Sequence, residues 1–135
     1  MSEFLFVYGT LASSSEHPMH RHLADNADYA GEGYFNGQLY RIGPYPGAIP
    51  SAHPDDKVFG ELYRLNNPEK VLAPLDNYEG CGPDAPQPHE FVRQPVTIHL
   101  KDGTRLEGWI YLFNRQIADF PRIMSGRYSD QQAEG

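Results

Sequence analysis

Thirteen glycines and twelve prolines break up this chain, 25 of its 135 residues. Relative to alanine, a glycine inside a helix costs about 1 kcal/mol and a proline about 3 kcal/mol. The interruptions are too frequent for a helical bundle and suit short strands joined by tight turns. The apolar stretches between them have strand length. Phe4-Leu5-Phe6-Val7-Tyr8 is a continuous run, as expected of a central strand buried on both faces, and it stops at Gly9. Residues 29–42 alternate and are broken by Gly31, Gly33 and Gly37, the pattern of strands with bulges or corners. Val58 to Leu65 reads as another strand. Glu90–Leu100 and Thr104–Phe113 form the best strand pair, with Lys101-Asp102-Gly103 as their turn. Trp109 and Tyr111 fall on one face of the last strand, Ile110 and Leu112 on the other, so both faces are expected to be buried.

The segment from Gly43 to Pro50 holds three prolines and reads as a rigid loop displaying Tyr45 and the backbone of Gly47. Asn67-Pro68-Glu69 is a helix start, with a capping side chain, proline in the first turn and an early acid. Pro74 is expected to split the following segment, with a second helix restarting near it. The stretch from Cys81 to His89 is proline-rich and irregular, and the tail from about Asp130 is expected to be mobile. No linker or repeat divides the chain, so residues 1–135 are expected to form a single domain.

A net charge of −7 with no basic run speaks against nucleic acid or an anionic membrane as partner. No apolar run approaches the roughly 18 residues of a membrane span, and Met1-Ser2-Glu3 does not resemble a signal peptide. A lone cysteine, Cys81, forms no internal disulfide and fits a cytoplasmic setting. His17, His20 and His22 lack metal-site spacing, so no metal is expected there. Nine tyrosines are available to line a polar pocket.

Two stretches carry candidate chemistry. At Gly9-Thr10-Leu11 the backbone can bend sharply, and successive turn amides can converge on an anionic oxygen. In Leu75-Asp76-Asn77-Tyr78-Glu79-Gly80, Glu79 follows Leu75 by one helical turn and so continues the apolar stripe. Burial and the negative end of the helix dipole would both raise its pKa towards that of a general acid/base. The same spacing also fits a solvated helix end.

Taken together, Phe6-Val7-Tyr8-Gly9-Thr10-Leu11 and Leu75-Asp76-Asn77-Tyr78-Glu79-Gly80-Cys81 resemble the γ-glutamylcyclotransferase-like family, in its AIG2-like, γ-glutamylaminecyclotransferase branch. Pro46-Gly47-Ala48-Ile49 looks like the family's Pro-Gly loop, and Gly60-Glu61-Leu62-Tyr63 like its Gly-x-apolar-Tyr strand. Phe91-Val92-Arg93 stands where Tyr-x-Arg is usual, one hydroxyl short, and Ala12-Ser13-Ser14-Ser15 departs from the usual Lys-x-Gly. The resemblance implies an α+β (mixed α/β) fold, a small partly closed β-barrel with short helices. It implies an acyl transfer in which a γ-glutamyl α-amine attacks its own γ-amide and releases 5-oxoproline and an amine. Carried over, Glu79 is the catalytic acid/base, and Tyr8, Gly9, Thr10, Leu11, Tyr45 and Gly47 bind substrate. The partner is then a small γ-glutamyl amine or amide; no cofactor is needed, and a monomer is the default. Three other readings stand beside it: a non-catalytic small-ligand binder of the same fold, a Cys81 nucleophile, and a protein-interaction role.

Overall fold

The computed structural model describes residues 3–8, 22–23, 25–42, 46–78, 91–117 and 120–127. Among the described residues, six strands and a helix follow in order: β1 (Phe4–Val7), β2 (Ala27–Arg41), β3 (Pro46–Pro50), β4 (Lys57–Leu65), α1 (Pro68–Tyr78), β5 (Phe91–Leu100) and β6 (Arg105–Phe113). The sheet order is β3-β2-β4-β1-β6-β5. It closes on itself where Gly33 and Tyr34 of β2 meet Leu100 and His99 of β5. Five strands thus form a barrel and β3 is an extra edge strand on β2. Pro95 lies in the stretch of β5 that pairs with β6 alone, where a missing N–H is tolerated.

β1 is central, antiparallel to β4 and parallel to β6. Its side chains point alternately into two cores, which explains the unbroken apolar run. Phe6 enters the barrel interior with Phe35, Leu39, Val58, Leu62, Ile98, Ile110 and Leu112. Leu5 and Val7 face the other way, into a layer with Val71, Leu72 and Leu75 of α1 and with Tyr63, Phe91, Tyr111 and Phe113. Tyr111 and Leu112 of β6 divide between these cores as the alternation predicts.

β1 can run close to β4 because residue 60 is glycine. A Cβ there would stand 2.2 Å from the carbonyl oxygen of Val7. β2 is one 15-residue strand with a register shift between Tyr29 and Gly31, where Gly31 takes φ 131°. The expected bulge is that shift. The β5–β6 turn has Gly103 at φ 90°, and the Thr104 amide donates to Asp102 Oδ1 at 2.8 Å.

Two expectations are corrected. Pro46–Pro50 is strand β3, not a loop. Its prolines occupy the first and last positions of an edge strand, where lost donors matter least. Pro74 does not split α1, which runs from Pro68 to Tyr78 with the proline inside. Val71, Leu72 and Leu75 are buried on both sides of Pro74 while Ala73 and Pro74 are exposed, so packing holds the helix together across the missing hydrogen bond. The expected cap is present: Asn67 Oδ1 accepts the Lys70 amide at 3.4 Å and the Asn67 carbonyl accepts the Val71 amide at 3.0 Å.

Beyond the barrel, Asp56 ties three segments together. It accepts hydrogen bonds from Gln38 Nε2 (2.9 Å), Ser51 Oγ (2.7 Å) and Arg122 Nη2 (2.9 Å). These bonds hold its carboxyl well below the usual aspartate range, Gln38 contributing most, then Ser51 and Arg122.

Candidate functional site

Tyr8 ends the first strand run, and its hydroxyl crosses to two other strands. It donates to the carbonyl of Tyr111 in β6 at 2.5 Å and accepts the amide of Ala48 in β3 at 3.2 Å. The Tyr8 side chain is therefore held between β6 and β3.

On the helix side, Asp76 sits in the last turn of α1. Its carboxylate accepts Arg93 Nε at 2.8 Å and Nη2 at 3.1 Å, a forked pair reaching from β5. It also accepts the Tyr111 hydroxyl at 2.7 Å. The Arg93 guanidinium lies 4.4 Å from the ring centre of Trp109. The ion pair is largely shielded, with side-chain exposures of 24% for Arg93 and 19% for Asp76, a setting in which breaking one partner is costly. Tyr111 thus binds both sides at once, Tyr8 through its carbonyl and Asp76 through its phenol.

Of the residues the sequence singles out, Tyr8 and Gly47 are described and come together, Gly47 being next to the Ala48 amide that Tyr8 accepts. Gly47 is buried in β3 opposite Tyr40. A Cβ there would stand 2.9 Å from both Ile42 Cγ1 and Phe113 Cβ, so close packing on Phe113 accounts for the glycine. Gly9, Thr10, Leu11, Tyr45, Glu79 and Cys81 lie outside the described residues, as do His17 and His20 and the stretch 79–90. His22 is structural: its Nε2 is 3.3 Å from the Val71 carbonyl, and its Nδ1 is 3.5 Å from Asn26 Nδ2. Among the described residues no three His, Cys, Asp or Glu gather as metal ligands, and no helix is long and apolar enough to cross a membrane. Phe91 is buried in the core and packs against Phe113, ring centres 5.6 Å apart.

Asp76, Arg93 and Tyr111 carry no role in the sequence reading. Asp76 falls within the Leu75–Cys81 motif and Arg93 within Phe91-Val92-Arg93, but their pairing spans 17 residues and has no local signature. Tyr111 could be flagged only as a buried tyrosine whose hydroxyl needs a partner.

Comparison with known proteins gives the family. Residues 5–130 match the family described as gamma-glutamyl cyclotransferase, AIG2-like. The gamma-glutamylcyclotransferase family protein YtfP of Citrobacter rodentium is 34% identical over 128 residues, covering 94% of this chain and 96% of the relative. The solution structure of YtfP from Escherichia coli superposes with TM-score 0.66 at 30% identity, covering 96% of this chain and 98% of that one. An AIG2-like protein from Mus musculus shares the fold, with TM-score 0.68 at 22% identity over 89% of this chain and 84% of its own. The match spans nearly the whole chain, including both motif segments that Tyr111 links, and this protein belongs to the AIG2-like gamma-glutamyl cyclotransferase family.

Proposed function

We propose that this protein converts a γ-glutamyl amine or amide into 5-oxoproline and a free amine. The observation that carries the reading is the junction at Tyr111, which ties the strand end leading into Gly9-Thr10-Leu11 to the helix turn leading into Glu79. The two family motifs, remote in sequence, are thereby anchored on one residue.

In this reaction the substrate's α-amine nitrogen bonds to its own γ-carbonyl carbon, and the bond from that carbon to the leaving nitrogen breaks. The five-membered ring is favoured because nucleophile and electrophile belong to one molecule, so the protein need only hold the reactive conformer. The amides of Gly9, Thr10 and Leu11 stabilise the oxygen as charge develops on it. Glu79 takes the proton from the attacking amine and returns it to the leaving one. Tyr8 contributes through its place rather than its phenol, whose oxygen is engaged by Tyr111 and Ala48. Neither water nor a cofactor enters the balance.

The test is to incubate the protein with a panel of γ-glutamyl amines and follow 5-oxoproline. Glu79→Gln keeps the size of the side chain but removes its ability to take up and release a proton, so turnover is expected to fall by roughly two to four orders of magnitude with little change in binding. An active Gln variant refutes the role of Glu79. A parent that binds the panel without turnover is a ligand-binding protein of the same fold.

A further inference from the structure

Asp76 is badly placed for the stability of its own helix. It lies in the last turn of α1, where the helix dipole is negative, and no basic residue of that turn offsets it. Compensation comes from elsewhere in the chain: the fork of Arg93 from β5 and the phenol of Tyr111 from β6. A shielded ion pair of this kind seldom adds net stability compared with well-packed apolar side chains, and its best-attested use is to select one geometry. Here the geometry selected is the place where α1 ends. The helix approaches the barrel through Val71, Leu72 and Leu75, which are apolar and non-directional and would tolerate small rotations or slides. Three charge-assisted or hydroxyl bonds at Asp76 would not, because each weakens steeply with angle. The same Tyr111 holds Tyr8 through its carbonyl, so one residue of β6 sets both the helix end and the strand end.

We infer that Asp76, Arg93 and Tyr111 are positioning residues, a clamp that fixes the last turn of α1, from which the chain leads into Glu79, against the end of β1, from which it leads into Gly9. The clamp rests on the reaction proposed above. None of the three touches the substrate. They act on kcat, through the distance and angle between the proton carrier and the reacting amine. A misplacement of about 1 Å at such a site costs about a hundredfold in rate.

Tyr111→Phe is the cleanest variant. It removes the bond to Asp76 but keeps the buried ring and the carbonyl that receives the Tyr8 hydroxyl. Asp76→Asn weakens the Arg93 fork, and the double variant tests whether the two act as one unit. The full chain is assayed for 5-oxoproline with a γ-glutamyl amine that the parent turns over, well below the melting temperature of each variant. The expected result is a kcat lowered about tenfold to a hundredfold in each single variant, with KM within about threefold of the parent. The double variant should lose little more than the worse single one, since both remove the same alignment. If Asp76→Asn does not fold, Tyr111→Phe alone decides. A raised KM with intact kcat overturns the clamp in favour of direct substrate binding. A lowered melting temperature with unchanged kcat and KM overturns it in favour of a simple brace. Glu79→Gln runs alongside: if that variant is inactive while the clamp variants keep their kcat, the clamp fails and the proposed function stands. If it is active, the role of Glu79 fails, and the clamp with it. A parent forming no 5-oxoproline overturns both.

Discussion

Pro74 offers a quantitative test of how α1 is held. It is the seventh residue of an eleven-residue helix, beyond the first turn in which proline is tolerated. Its nitrogen has no hydrogen, so the carbonyl of Lys70 lacks its helical partner. Both Lys70 and Pro74 are exposed, so alanine at 74 removes no core contact. The intrinsic difference between proline and alanine in a helix interior is about 3 kcal/mol. Hydration of the free carbonyl and local relaxation already recover part of that, and alanine restores about 0.4–1 kcal/mol of freedom to the unfolded chain. A net gain of about 1–2 kcal/mol is expected from Pro74→Ala. Unfolding entropy of about 2.1 cal/mol/K per residue gives about 0.28 kcal/mol/K for this chain, so the melting temperature should rise about 4–7 °C. Thermal unfolding followed by circular dichroism measures it. The neighbouring exposed site serves as control: Ala73→Gly should lower stability by about 1 kcal/mol if the segment is helical. An unchanged or lower melting temperature in Pro74→Ala would refute the view that packing of Val71, Leu72 and Leu75 carries the helix across an unfavourable proline.

Two further perturbations probe the barrel. Gly60→Ala places a Cβ 2.2 Å from the Val7 carbonyl oxygen, a backbone atom, and should destabilise by about 1–3 kcal/mol or more, whereas Gly108→Ala meets its nearest neighbour at an ordinary 3.4 Å and should stay within about 1 kcal/mol of the parent in urea unfolding. The Asp56 carboxyl has its pKa depressed in the folded state from an ordinary 3.8, so the folded protein holds its proton less readily and the contribution is full above that value and fades as pH falls below it. Melting curves of the parent and Asp56→Asn should therefore differ most at pH 6, with the gap narrowing steadily as the pH falls below 3.8; a gap at pH 2 as large as that at pH 6 would refute the linkage.

Much of this molecule is legible in local sequence, because local chemistry decides it. The run Phe4–Val7, the Lys101-Asp102-Gly103 turn and the Asn67 cap each depend on residues a few positions apart, and each forms as its pattern requires. The motifs around Tyr8 and Glu79 are equally local, and they suffice to point to the family. Edge position was not local. Pro46–Pro50 is a strand because β2 offers it a free edge, and no count of prolines contains that fact. Nor was the continuity of α1, which depends on side chains buried against β1, β4 and β6. The site is legible in the sequence only in halves. Arg93 lies 17 residues from Asp76, Tyr111 lies 35 from Asp76 and 103 from Tyr8. A directional bond between such residues forms only after barrel closure sets the strand registers, so the chain's chemistry named the motifs and the tertiary fold decided what joins them.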